Sequence, residues 1–344
     1  MPVLENNVVR EVLLSDEQKE LVERAEKVYL KSFGADAWFG RCVFLSWFCS
    51  KGTCDFCFRS TQKHKISFAS DARRSMKSVF SEAIISKSCD WKLEFLTGGY
   101  DVYSFDEILR ASKVCSEIFE EKIWVNLGVL KEKDLEALKP YVEGVVASLE
   151  TVNKALHKRV CPDKDLRSYL DMLRVARSLG FKTGITLVLG LGETLKDYES
   201  AKKIIQDYDV DRVTLYALRP VKGTPYSNGP EPEDVVEWIA RTRIDFPKVE
   251  IMAGTAVSRL PEISYFLRAG ANGFTKLPAT KIFGSQIAKS LRREVEGAGR
   301  VFRSNFEVVD SSSWKELVSS LSLSDDEKQA LLSKLFDYKD MMSD

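Results

Sequence analysis

No stretch of this 344-residue chain approaches the ~20 consecutive apolar residues that a bilayer-spanning helix needs, so an integral helical membrane protein is excluded. Net charge is missing as well. The 51 Lys plus Arg balance 51 Asp plus Glu, and no overall field selects nucleic acid or an acidic membrane as a partner. The opening segment MPVLENNVVREVLLSDEQKE lacks the basic-then-apolar order of a secretion signal, so a cytoplasmic protein is expected. Histidine is scarce: of the two present, His64 has no partner His or Cys spaced as in a zinc knuckle.

What is present is ordinary in bulk, with 44% hydrophobic and 30% charged residues. That balance describes a soluble globular chain able to bury a sizeable core. Seven cysteines, three of them crowded between Cys49 and Cys57, fit a reducing compartment and metal binding better than a disulfide framework.

Along the chain, SDEQKELVERAEKVYLKSFG opens on a Ser N-cap, keeps helical apolar spacing and ends at Gly34. Beyond it lie eight runs of β-branched and apolar residues: CVFLSWF, KLEFLT, KIWVNLG, GVVASLE, TGITLVLG, RVTLYAL, VEIMAG and NGFTK. Helical patterns alternate with them. Strands joined by helical crossovers predict an α/β fold, a TIM-type (β/α)8 barrel with its active face at the carboxyl ends of the strands. The expected organisation is an N-terminal helical extension over 1–39, the barrel over 40–296 and a C-terminal extension over 297–344.

The segment FLSWFCSKGTCDFCFRST places Cys49, Cys54 and Cys57 in a C-x4-C-x2-C pattern after the first strand candidate. Three thiolates in one loop can converge on one inorganic centre. Zinc usually takes a fourth Cys or His, whereas an iron–sulfur cluster held by three thiolates leaves one iron open to an external ligand. Buried reduced cysteines or half a zinc site are the alternatives.

With Phe56 before the last cysteine, this pattern resembles the radical SAM superfamily, whose usual spacing is one residue shorter between the first two cysteines. The resemblance implies a [4Fe–4S] cluster on Cys49, Cys54 and Cys57, S-adenosylmethionine (SAM) chelating the open iron, and a 5′-deoxyadenosyl radical as product. It extends over roughly Gly40 to Thr280. LTGGYD, with Gly98 and Gly99, is similar to the segment that receives the SAM amine, and Tyr100 and Asp101 follow it. SLET brings Ser148 and Glu150 to the fourth strand's end, where Glu150 is expected to accept from the ribose. HKR offers Arg159 for the SAM carboxylate, with His157 beside it, and TLVLGLGET places Gly190 near the adenine.

LRPVKGTP and AGANGF resemble the biotin synthase-like branch in particular. Biotin synthase draws sulfur from a second cluster on interior strands, and the matching segments FLTGG, WVNLG and TGITL contain no cysteine. A different second [4Fe–4S] cluster stays open, with Cys161 as one ligand and Ser304 of FRSNF, which is similar to a lipoyl synthase segment, as another. Cys42 and Cys89 are expected near the beginnings of strands, and Cys115 in a helix core.

The resemblance implies sulfur insertion into an octanoyl chain on a carrier-protein lysine, in the manner of an archaeal two-protein lipoyl synthase. An octanoylated lipoyl-carrier protein, a ferredoxin or flavodoxin as electron donor and a second radical SAM protein are the implied partners. The alternatives are a maturase or mutase without sulfur insertion, and a non-catalytic iron–sulfur or zinc scaffold.

Overall fold

The computed structural model describes residues 12–343. The opening segment read above for a leader lies mostly outside them. Eight parallel strands close into a barrel: β1 (Asp36–Phe44), β2 (Lys92–Thr97), β3 (Ile123–Asn126), β4 (Val142–Glu150), β5 (Lys182–Leu189), β6 (Arg212–Ala217), β7 (Glu250–Gly254) and β8 (Gly273–Thr275). Each neighbours the next, and β1 pairs with both β2 and β8. The chain has a TIM-type α/β barrel, as its alternating pattern predicts.

Helix α1 (Asp16–Phe33) precedes the barrel, starting on a Ser15 capping box with Gln18. Crossovers after β1, β2 and β3 run through α2 (Met76–Ser88), α3 (Phe105–Phe119) and α4 (Glu132–Leu138). Helices α5 (Lys154–Val160) and α6 (Leu166–Ser178) follow β4, and α7 (Tyr198–Asp207), α8 (Pro232–Asp245) and α9 (Ile263–Arg268) follow β5 to β7. After β8 come α10 (Ala279–Ile282), α11 (Gln286–Gly297), the short β9 (Val301–Phe302), α12 (Trp314–Ser320) and α13 (Asp325–Ser343). Among the described residues, no helix is long and apolar enough to cross a membrane.

Seven of the eight strand candidates fall where expected, and the first is displaced. β1 begins at Asp36 and ends at Phe44, so the 39/40 boundary falls inside a strand. Leu45 N–H still donates to Thr97 O of β2, and SWF then leaves the sheet because its polar groups are tied elsewhere: Trp47 N–H donates to Ala72 O, and Ser46 Oγ to Phe48 O. Cys42 therefore lies near the carboxyl end of β1, inside the barrel, where its Sγ is 3.3 Å from Thr275 Oγ1. Cys115 is fully buried in α3, as a small core residue should be.

Residues alternate between the lumen and the helical shell. Phe39 faces outward, onto Trp91, Phe274 and Phe306, and the C-terminal segment covers that cluster. β9 extends the sheet beside the start of β1, pairing Asp36 with Val301.

Ser304 sits at this amino-terminal end of the barrel. It is 2% exposed, accepts from Phe39 N–H at 3.0 Å and donates to Asp90 O at 3.0 Å. Both bonds belong to the junction between strand starts. Ser304, expected beside a second cluster, has its hydroxyl stitching the C-terminal segment to the barrel's base, away from the face where Cys161 lies.

Candidate active site

The cysteine loop follows β1 and is shaped by three neighbours. Ser50 N–H donates to Tyr100 O at 3.1 Å, Asp55 N–H donates to Val160 O at 3.0 Å, and Cys57 N–H turns back onto Cys54 O at 3.1 Å. Close approach fixes the glycine before Tyr100. A Cβ on Gly99 would lie 1.8 Å from Phe48 O and 2.7 Å from Cys49 Cα, so no other residue fits without moving the loop. That contact also aims Tyr100 N–H at Cys49 Sγ, 3.5 Å away.

All three loop cysteines are reduced and half-buried. Burial pushes the Cys57 thiol up. Cys54 moves the other way, because the Cys161 thiol donates a hydrogen bond to it and the Lys164 ammonium lies nearby. Thr53 Oγ1, buried in the same loop, has no hydrogen-bond partner among the described residues. Among those residues no three His, Cys, Asp or Glu side chains sit close enough to share one metal ion. A cubane cluster takes its thiolates on separate irons, so three reduced thiols on a braced loop at the barrel mouth are a donor set that fits it.

Cys161 is fully buried at the end of α5 against Cys54. With Ser304 at the opposite end of the barrel, the structure does not bring together the two residues expected to share a second cluster.

The other predicted residues gather around the same mouth. Glu150 ends β4 in the left-handed region, at φ 62°, and accepts from Lys164 Nζ at 2.6 Å. Burial works against the Lys164 charge, but Glu150 outweighs it and holds the ammonium well above its ordinary value. Lys164 also donates to Ser148 O at 2.9 Å, while Ser148 Oγ donates to Asn126 Oδ1 at 2.8 Å. Arg159 reaches the loop after β5, donating to Leu191 O at 3.0 Å. Gly98 has room beside Leu45, its nearest neighbour being 3.5 Å from a Cβ.

Neither residue after the glycines is free. Tyr100 OH is hydrogen-bonded to Tyr169 OH, and Asp101 accepts from Ser50 Oγ. His157 is 3% exposed rather than a half-exposed loop residue. It lines a pocket of about 590 Å³ on the outer side of α5 and α6, and burial lowers its basicity.

Two mouth residues escape a reading of the sequence. Glu193 folds the loop after β5 around its carboxylate, accepting from Gly190 N–H at 2.6 Å and Leu191 N–H at 2.9 Å. Gly190 takes φ 102° to make that turn. A carboxylate three residues after a strand-ending glycine was the signal for it. The other is Lys276, directly after β8, at φ 70°.

The radical SAM superfamily pattern matches residues 44–205, and the Biotin and Thiamin Synthesis associated domain matches residues 215–324. An uncharacterized protein of Methanocaldococcus jannaschii is 37% identical over 90% of this chain and 86% of its own length. A biotin synthase of Clostridium botulinum is 27% identical over 49% of this chain and 54% of its own. The [FeFe] hydrogenase maturase subunit HydE of Thermotoga maritima is also 27% identical, over 58% and 59%. Methylornithine synthase (PylB) shares the fold at TM-score 0.68 and 19% identity, over 89% of this chain and 93% of its own. From the braced cysteine loop, the glycine-bearing mouth and these matches it follows that the chain belongs to the biotin synthase-like branch of the radical SAM superfamily, whose members use a [4Fe–4S] cluster and SAM.

Proposed function

We propose that this radical SAM enzyme works with a single cluster, held by Cys49, Cys54 and Cys57, on a small polar substrate seated in the barrel lumen, as a maturase or mutase does. The carrying observation is the lumen itself. Thr97, Asn126, Ser148, Thr186, Thr214 and Thr275 bring polar groups to it from six strands, with Cys42 as its one thiol. An octanoyl chain carries no donor or acceptor to use those groups, which in its absence pair within the lumen, Ser148 with Asn126 and Thr214 with Glu94.

When bound, the cluster and SAM supply the electron transfer and C–S cleavage that yield a 5′-deoxyadenosyl radical. The chain's own residues hold and orient. In this reading Glu150 accepts from the ribose once Lys164 yields part of its pairing, Arg159 meets the carboxylate, and the Gly190 turn presents backbone to the adenine. Gly98 and Gly99 keep a backbone wall beside Cys49 for the amine. An external one-electron donor of ferredoxin or flavodoxin type completes the cycle.

Sulfur insertion into an octanoylated carrier protein is the second reading, favoured by the likeness to biotin synthase. It needs a sulfur source, and neither Cys161 nor Ser304 supports one. The test is anaerobic reconstitution of the wild type and of the Cys49→Ala/Cys54→Ala/Cys57→Ala variant, with iron counting and assay of 5′-deoxyadenosine. The wild type should hold about four irons and cleave SAM, and the variant should hold essentially none. A variant that keeps about four irons would restore the sulfur-inserting reading, and one that still cleaves SAM would defeat the cluster assignment.

A further inference from the structure

We infer that Lys276 is a substrate anion seat: its ammonium receives a carboxylate of the small molecule held between it and the cysteine loop. The inference rests on the radical SAM reading above and specifies the substrate class. It starts from a backbone anomaly. Lys276 is the first residue after β8 and adopts φ 70°, a conformation that a lysine enters only when its surroundings impose it. Its neighbour Thr275 is fully buried, with Oγ1 3.3 Å from Cys42 Sγ. The strand thus ends in the lumen wall, and the next residue turns.

The side chain that results crosses the mouth. Lys276 Nζ stands 4.1 Å from the ring centroid of Tyr216, which belongs to β6, two strands away. Between them β7 ends in Gly254, where a Cβ would lie 1.8 Å from Tyr216 Cδ1. Glycine there admits the ring, and the ring supports the ammonium from below. Tyr216 is itself 7% exposed, so this platform is part of the lumen.

Lys276 is exposed to solvent, and no described group of the protein answers its charge. Among the described residues no carboxylate forms an ion pair with Lys276 and no acceptor takes a hydrogen bond from it. Two other mouth lysines are engaged by the protein, Lys164 by Glu150 and Ser148 O and Lys51 by Asp163 O and the Tyr100 ring. Arg159, with its bond to Leu191 O, stands over β5, across the barrel from β8. One ammonium, without a guanidinium or a nest of backbone N–H groups beside it, matches the single charge of a carboxylate better than a phosphate. A cation with an aromatic platform and no counterion, at the mouth of a polar lumen, is a seat for the anionic end of a substrate.

The test uses the reconstituted full chain with saturating SAM, and glutarate and its diamide as probes in saturation-transfer NMR. Lys276→Asn removes the charge while tolerating the left-handed backbone, and Lys276→Arg restores it. Glutarate should bind the wild type and the Arg variant saturably and the Asn variant at least about ten-fold more weakly. The diamide should not distinguish the three, and the SAM dissociation constant should stay within about two-fold. Equal glutarate binding by wild type and Lys276→Asn, or none by the wild type, overturns the seat. Weakened SAM binding in the Asn variant also overturns it, by placing the lysine in the cofactor site. A wild type that holds iron and cleaves SAM while the glutarate arms fail loses only this inference, whereas one without iron or cleavage loses the radical SAM reading and the seat together.

Discussion

The two ends of the barrel solve opposite problems. At the base, Phe39, Trp91, Phe274, Phe302 and Phe306 stack on one another. Arg243 is fully buried there and spends its guanidinium on Gly270 O, Pro247 O, Val249 O and Asn272 Oδ1 at 2.6–3.0 Å. At the mouth, Glu150 and Lys276 hold left-handed backbones, three thiols stand reduced, and Thr53 Oγ1 lacks a partner. The base is not free of unpartnered groups, since Asn272 Nδ2 and Arg300 Nε lack partners among the described residues, but the thiols and Thr53 stand at the mouth, where a ligand completes them. Stability and chemistry are divided between the faces, as the strand direction of such barrels allows.

Arg243→Met should test that division most severely. It takes the guanidinium from Gly270 O, Pro247 O and Val249 O, while Asn272 Oδ1 keeps Ile251 N–H, and a loss of about 3 kcal/mol or more is expected in urea unfolding. Iron content and SAM affinity per folded molecule should not change. If SAM affinity falls with stability, the two faces are not independent.

Glu94 lies between the ends, buried in the lumen, with Thr214 Oγ1 donating to it at 2.8 Å. Burial pushes its carboxyl up to about 7 from an ordinary 4.5. The folded chain therefore keeps a proton that the unfolded chain releases, and stability falls as pH rises from about 4.5 through about 7. Glu94→Gln should flatten that slope and gain up to roughly 3 kcal/mol above the window. An unchanged slope in chemical denaturation at successive pH values would mean that the mid-barrel carboxylate is relieved by a partner or water.

Ser304→Ala should cost the least, about 1 kcal/mol for its paired hydrogen bonds, read as a small fall in the unfolding midpoint. Reconstituted iron should be the same as in the wild type. Lost iron would move Ser304 back to the functional side.

The barrel was legible because seven strands are short runs dominated by β-branched and apolar residues, such as TGITLVLG. β1 was misplaced because DAWFGRCVF interleaves Asp, Gly and Arg with its apolar residues, and the adjacent FLSWF reads as better strand than it is. The cysteine loop could be found from spacing alone, since its chemistry is local. Ser304 could not, because FRSN carries no information about which end of the barrel it reaches. Lys276 was invisible for a further reason: its left-handed backbone follows from the meeting of β6, β7 and β8, and nothing in NGFTK announces it.

The position of β1 in the sheet also sets an order of events during synthesis. Its first neighbour, β2, emerges early, but Trp38 pairs with Gly273 and Asp36 with Val301. Until those late residues leave the ribosome, the strand that leads into the three-cysteine loop has one open edge, and such edges invite pairing with other chains. Closure across so much sequence is slow. The nascent chain therefore carries its most reactive thiols beside its least protected strand for most of translation, and the barrel seam is the last part of the sheet to form.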